Sequence, residues 1–508
     1  MKKLYIIFLL VGLFMSSCKK DLGNYDYKEL EEITITGIET TYAKLTDVDR
    51  ITLDPTVTSS VEAAEFEYLW GIYETNVTGR VPVMDTIAKT KALDYPVKLV
   101  AKEWVLVFRA TNKKTGYSKY VKSRINVGTE YTRGWYVAKD DGIQADMDLF
   151  LTPQTIVPER LRENVFSSVN GKKLEGKAKL ISFYHDYKSA VSGTMGNTRS
   201  IFLTTERDLS VVDVNTMKEI HDFNGLFYGA PQTKAPDFVA NGSQSLYLAN
   251  EGQLRGIGTM SGNTGVFGER QLINSYDTPY RLSRFFMAYT LGSTVFFDEI
   301  SSSFISSSGS GNVMTALVDA KETQMPAANT NKIMLFMGAR SMSPFVGYAV
   351  LQDKTDPTKK TITKITRTST TIDLQNEAIK VTDKIYNAER YALNDTDESI
   401  IYFTVGNEVW SRNLSNGHEL LQFTAAAGEE ITFLRHRKYT GLNAEAPYTY
   451  NYVMVGTTSG GKYKVRMFAK TSGNLASDPA FVLEGNGIPR DVMYMAPLVG
   501  GFTYLTTY

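Results

Sequence analysis

The chain of 508 residues is predicted to be all-β, with an N-terminal β-sandwich followed by a β-propeller of seven blades. Three observations lead there. The composition is rich in Tyr (30) and Phe (25), residues that suit pleated, half-buried surfaces. Between residues 33 and 128 short apolar runs alternate with polar residues at period two, the repeat of a strand with one buried face. From Gly134 onward a unit of strand, turn and strand recurs seven times, as blades do.

The bulk numbers bound the rest. A chain this long exceeds one ordinary core, so at least two domains are expected. Hydrophobic residues make up 43% and charged residues 22%, as in soluble globular proteins. Lys plus Arg equals Asp plus Glu at 55 each, so no basic footprint for nucleic acid is present. A single cysteine, Cys18, excludes an internal disulfide framework and a cysteine-based zinc cluster. The four histidines, His185, His221, His418 and His436, are not at the i, i+4 spacing of a helix-borne metal site. No metal or other cofactor is expected.

Taken in order, the chain starts with Lys2 and Lys3, then an apolar run from Leu4 to Phe14. That run is far short of the ~20 residues that span a bilayer as a helix. Residues 1–17 therefore read as a signal peptide. Met15, Ser16 and Ser17 precede Cys18, and small residues before a cysteine resemble the lipobox of bacterial lipoproteins. That resemblance implies cleavage before Cys18, a diacylglycerol on its sulfur and an acylated amine. Several acyl chains anchor firmly where one is marginal, since each buried CH₂ adds about 0.8 kcal/mol. The alternative is an ordinary cleaved signal with an incidental cysteine. Residues 18–32 are polar, with Asp21, Asp26, Glu29, Glu31 and Glu32, and read as a tether. A charged segment after the lipidated cysteine resembles the surface-export signals of Bacteroidetes lipoproteins. Lys19 and Lys20 depart from a fully acidic version. The expected location is the outer membrane, lipid-anchored and facing the exterior.

Residues 33–128 are predicted to form the sandwich. In "EFEYLWGIY", Phe66, Tyr68, Trp70 and Ile72 share one face, and Trp70 is the expected core residue. "EWVLVFRATNKKTGYSKYVKSRINV" reads as a β-hairpin over "NKKTG". "GTEYTRG" then marks a boundary.

Residues 134–508 are predicted to form the propeller. Its units start at Gly134, Ser200, Ser245, Ser293, Lys332, Ser399 and Tyr450. The average spacing of roughly 54 residues, against about 40–50 for a regular blade, implies loop insertions. Ring closure would remove exposed sheet edges, and the terminal "GFTYLTTY" is expected to share a blade with the segment near Gly134, closing the ring. One helix is predicted from Pro158 to Val169, with Leu161, Val165, Phe166 and Val169 on one face, Pro158 opening it and Asn170-Gly171 closing it.

The order of lipobox, Trp70-bearing sandwich, "RGWYVAKDDG", "VFSSVNGKKLEGK" and repeats resembles the PKD-like (polycystic kidney disease-like) lipoproteins of Bacteroidetes. Such proteins accompany SusC/SusD-type outer-membrane uptake systems for glycans or peptides. The resemblance implies such a transporter and other surface lipoproteins as partners, and an accessory role in nutrient uptake. It carries over no catalytic residue.

The chemistry-bearing motifs are few. "GTTSGGKY" fits G-x-x-x-x-G-K, but Tyr463 stands where a phosphate loop needs Ser or Thr, so a glycine-rich hairpin turn is expected. "DDGIQADMD" lacks the spacing of a calcium loop and reads as a solvated turn. No G-x-S-x-G elbow occurs. Paired carboxylates for glycoside cleavage need no sequence motif, which keeps a surface hydrolase with a propeller active site as the alternative. A purely structural subunit is a third reading. For glycan or peptide binding, aromatic faces are the candidates: Tyr184, Tyr187, Phe227, Tyr228, Tyr276 and Tyr280, all on segments that read as inter-blade loops. The competing expectation is that most of these rings fill blade interfaces.

Overall fold

A computed structural model describes residues 31–75, 81–191, 193–242, 244–258, 264–288, 292–309, 311–368, 371–394, 397–441, 443–501 and 503–504. The signal peptide, Cys18 and most of the tether lie outside the described residues. The chain is all-β: strands dominate, and one short α-helix and four 3-10 turns are found among the described residues.

The N-terminal region holds a five-stranded sheet and two ribbons. The sheet orders Thr41–Leu45, Ser118–Gly128, Glu103–Asn112, Phe66–Glu74 and Asp85–Ala88. Its first pair is parallel and the others are antiparallel. The expected hairpin is its centre, with Glu103 opposite Asn126 and Thr111 opposite Ser118. The ribbons pair Ile33–Thr36 with Thr56–Ser59 and Arg50–Leu53 with Leu93–Pro96. One core joins ribbon residues Ile51 and Leu93 to sheet residues Trp70, Leu106, Phe108 and Ile125. Trp70 is fully buried. Its ring lies 4.4 Å from Phe108, and its indole N–H donates to the carbonyls of Thr90 and Lys91 at 3.1 and 3.2 Å. A buried tryptophan needs that partner.

From Gly134, seven sheets of three or more strands follow one another among the described residues, with a two-stranded ribbon of Lys470–Thr471 and Asn474–Leu475 beside the last. Sheet 1 orders Arg160–Arg162, Gln144–Leu151, Gly134–Asp140 and Ile488–Met495, with Leu174–Glu175 added beside Gln144–Leu151. Sheet 2 runs Ala178–Ser189, Gly196–Thr205, Leu209–Asp213 and Glu219–His221. Sheet 3 runs Pro236–Asn241, Ser245–Asn250 and Gln253–Gly258. Sheet 4 holds Thr294–Asp298, Ser303–Ser307, Val313–Ala316 and Leu272–Ile273. Sheet 5 runs from Lys332–Met342 through Phe345–Asp353, Lys360–Arg367 and Thr371–Ile379 to Val318–Asp319. Sheet 6 runs Arg390–Leu393, Ile400–Val405, Glu408–Asn413 and Glu419–Thr424. Sheet 7 runs Glu430–Tyr439, Tyr450–Ser459, Lys462–Phe468 and Phe481–Asn486. The seven repeat starts read from the sequence fall at or beside a strand in seven different sheets.

Packing links each sheet to the next. Tyr187 and Phe202 of sheet 2 share a core with Val239 and Leu248 of sheet 3. Phe238 and Tyr247 meet Phe296 and Ile305 of sheet 4. Phe297 of sheet 4, Val350 of sheet 5 and Phe403 of sheet 6 form one cluster. Tyr402 meets Val453 of sheet 7. Met454 of sheet 7, Trp135 of sheet 1 and Ile181 of sheet 2 close the circuit. The relay is propeller-like: each face is buried by a neighbour, and the last sheet packs on the first.

Three local expectations are corrected. The strand that completes sheet 1 is Ile488–Met495, pairing from Gly134↔Met495 to Asp140↔Ile488, not the terminal "GFTYLTTY". Its residues 502 and 505–508 lie outside the described part. The helix covers only Val165–Asn170. Leu161 instead pairs with Phe150 at the sheet edge, and Asn164 at φ 54° turns the chain between strand and helix, a conformation Asn tolerates. The acids of "DDGIQADMD" divide: Asp141 stands on the exposed turn that was expected, whereas Asp140, Asp146 and Asp148 are 2%, 2% and 0% exposed. Asp146 accepts from the Ser167 N–H at 3.2 Å and Asp148 from the Asn164 N–H at 2.8 Å. Asp148 also pairs with Lys139 Nζ at 2.7 Å and accepts from the Tyr463 hydroxyl at 2.7 Å. These carboxylates pin the helix to sheet 1. "GTTSGGKY" is a hairpin turn as expected, with Ser459 opposite Lys462 and Gly460 and Gly461 at positive φ.

Candidate functional site: a central cationic pocket

A cavity of ≈470 Å³ lies where all seven sheets converge. Each sheet sends the beginning of one strand or its lead-in to the wall. Ala178 and Lys179 come from sheet 2, Asp237 from sheet 3 and Leu335 from sheet 5. Arg390 and Tyr391 come from sheet 6, Phe433 and Arg435 from sheet 7, and Arg490 from sheet 1. Sheet 4 contributes Arg284 and Phe285, just before the point where Met287 bridges Val295. The seven starts come together here because the sheets pack in a circuit.

Charge dominates the wall. Lys177, Lys179, Arg284, Arg390, Arg435 and Arg490 face the carboxylates Glu206, Asp237 and Glu389. Several cations are braced from behind. Arg490 Nε donates to buried Asp140 at 2.7 Å. Arg435 Nε donates to Asp491 at 3.1 Å. Lys179 donates to the Pro236 carbonyl at 2.7 Å and lies 3.6 Å from Asp237. Arg390 pairs with Glu389 at 3.1 Å and donates to the Thr432 carbonyl at 3.1 Å. These contacts fix where the positive charge sits. The aromatic rings Phe285, Tyr391 and Phe433 are 8%, 6% and 3% exposed, so they back the wall and offer no open stacking face.

Further along the same strands a second cavity of ≈30 Å³ is lined by Phe183, Asn241, Phe286, Arg437, Asp491 and Tyr504 among others. It is about the size of one water. Beyond it the C-terminal tail crosses the opposite end. Arg199 donates to the Ala496 and Val499 carbonyls at 2.7 and 3.2 Å. Burial lowers the pKa of this guanidinium to about 10. Asn241 donates to the Gly501 carbonyl. The Tyr504 hydroxyl donates to the Tyr494 carbonyl at 2.7 Å and meets the Tyr450 hydroxyl at 2.8 Å.

At that same far end His436 is buried (8% exposed) and contacts Asn451 through Nε2 at 2.8 Å. Asp397, Lys438 and Lys470 surround it. Burial pulls its pKa down to about 4. Burial raises the pKa of Asp397, but hydrogen bonds from Lys470 and Asn451 and the charge of Lys438 outweigh that and leave it at about 2. A histidine depressed when folded stabilises fully above its unfolded pKa near 6.5, and that stability is lost as pH falls toward about 4. The His436 contribution is on the order of 3 kcal/mol. His436→Gln is therefore expected to flatten the loss of stability between about pH 6.5 and 4, read by urea unfolding of both proteins across that range. An unchanged slope would refute the assignment.

The sequence-predicted aromatics divide. Tyr184, Tyr187, Phe227 and Tyr280 are 2%, 0%, 6% and 1% exposed and sit in the clusters between sheets 2 and 3 and between sheets 3 and 4. They match the interface-filling expectation. Tyr228 and Tyr276 are both 71% exposed. None of the six lines the central pocket. Sequence reading missed the pocket residues because their only shared signal is position at the start of an inner strand. Among the described residues no cluster of His, Cys, Asp and Glu could hold a metal ion. No described helix is long and apolar enough to cross a membrane.

Comparison with known proteins adds one family match. The model of the PKD-like family matches residues 18–178, from the lone cysteine through the first strands and helix of sheet 1. No curated protein matches the chain. Among solved structures, a quinonprotein alcohol dehydrogenase-like protein from Bacteroides thetaiotaomicron is 14% identical, with 89% of this chain and 96% of that chain covered and a TM-score of 0.39. AztD from Citrobacter koseri is 10% identical, with 84% and 97% covered and a TM-score of 0.37. These likenesses bear on neither activity nor ligand.

Proposed function

We propose that this is a lipid-anchored protein of the outer-membrane surface, an accessory binding subunit of a SusC/SusD-type uptake system for glycans or peptides. In this reading the N-terminal PKD-like β-sandwich is a spacer near the membrane. The rest is a seven-bladed β-propeller presenting a ligand pocket. The observation that carries the binding role is the charged cavity of ≈470 Å³, within the size range of small-molecule sites. Cys18, placed directly after the apolar run, supports the anchor. Lys19 and Lys20 leave the outward orientation as part of the proposal.

The experiment is affinity capture of the full chain from detergent-solubilised membranes, followed by glycan and peptide arrays with the soluble form. Recovery of a transporter and binding lost with Arg435→Ala support the reading; recovery of neither sinks it. Product release from an array ligand would favour the hydrolase instead. Separately, Cys18→Ala is expected to abolish lipid attachment and membrane retention, read by metabolic labelling with a fatty-acid analogue and by fractionation. A normally anchored variant would disprove lipidation at Cys18.

A further inference from the structure

We infer that the central pocket takes an anionic saccharide, a short sugar chain carrying uronate carboxylates. This rests on the reading of the cavity as a ligand pocket and specifies its chemistry. Six cationic side chains line the wall against three carboxylates. Including the buried Asp140 and Asp491 behind the wall and Arg437 below it, the positive excess persists. Arg437 also has a buried Nε without a protein partner. In a recess walled by protein, such an excess is screened less than on an open surface. Charge-assisted hydrogen bonds from Arg and Lys to carboxylate are the strong ones available there.

The three lining carboxylates narrow the class further. A ligand made only of anionic groups would meet Glu206, Asp237 and Glu389 as repulsion. A polyhydroxylated carboxylate satisfies both signs: its carboxylate accepts from Arg and Lys, and its hydroxyls donate to Glu and Asp. A neutral sugar would depend on stacking, and the wall rings are too buried to supply an open face. Lys177 and Arg284 are the exposed cations of the wall and would meet the ligand first.

The test is calorimetric titration of the full chain with digalacturonate, with its neutral dimethyl ester and with a triglutamate peptide, at low and high salt. Digalacturonate is expected to bind, more weakly at high salt, and the ester to bind roughly tenfold or more weakly, the scale of losing a charged hydrogen-bond partner. The double variant Lys177→Ala/Arg284→Ala is expected to reduce digalacturonate affinity by a similar factor while leaving the thermal melt unchanged. Equal or tighter binding of the ester, preference for the peptide, or no binding of digalacturonate overturns the inference. If the ester binds as well and Arg435→Ala abolishes that binding, the pocket stands as a ligand site and only its charge preference falls.

Discussion

Asp491→Ala is expected to lower the unfolding free energy by about 3–5 kcal/mol, the scale of leaving a buried partner charge uncompensated. The carboxylate is 1% exposed and sits between sheets 1, 2 and 7. Oδ1 accepts from Arg435 Nε at 3.1 Å and from its neighbour Val492 N–H at 2.9 Å. Oδ2 accepts from Arg437 at 3.3 Å and from the Ile181 N–H at 3.0 Å. Removing it takes the carboxylate from two guanidiniums, 12% and 6% exposed, and an acceptor from the amides of Ile181 and Val492, while the guanidiniums keep the carbonyls of Leu434 and Val492. Asp491→Asn keeps two acceptor lone pairs and is expected to cost less. Urea unfolding of the three proteins at pH 7 checks both. A loss under about 1 kcal/mol for the alanine variant, the scale of a surface pair, would show that this carboxylate is not a keystone.

Ending the chain at Gly487 is expected to abolish cooperative folding of everything after residue 133. Sheet 1 would lose Ile488–Met495 and leave Gly134–Asp140 with one bare edge. The core between sheets 1, 2 and 7 would lose Val492, Met493, Tyr494 and Met495, including the Tyr494 ring 4.9 Å from Trp135. A chain ending at Ala496 keeps that strand and loses only the tail across the far end. It is expected to melt cooperatively at a lower temperature. Thermal melting and limited proteolysis separate the two. A Gly487-terminated chain that melts as sharply as the full chain would disprove closure by this strand.

Much of the architecture was legible because period-two patterning and repeated strand–turn–strand phrases are local signals. Trp70 and the hairpin over "NKKTG" needed only alternation and turn chemistry. What failed was non-local or competitive. "PERLREN" has helical spacing, but pairing of Leu161 with Phe150 gives the segment a better partner than its own backbone. The closing strand was misplaced because "IPRDVMYM" and "GFTYLTTY" carry similar patterns and only the partner strand chooses between them. The pocket was illegible because Lys179, Asp237, Arg390, Arg435 and Arg490 come from five sheets and no spacing relates them. The acids around Asp146 were misread because their partners Ser167, Asn164 and Tyr463 bury them from elsewhere in the chain.

The pairing of Gly134–Asp140 with Ile488–Met495 also sets a schedule. During synthesis the first sheet waits, incomplete, until the chain has been made as far as Met495, the end of its missing strand. Contacts so distant in sequence form late and slowly. An unfinished chain thus stays loosely assembled. The same delay leaves a bare strand edge on every interrupted chain, an invitation to stick to its neighbours that the finished molecule withdraws.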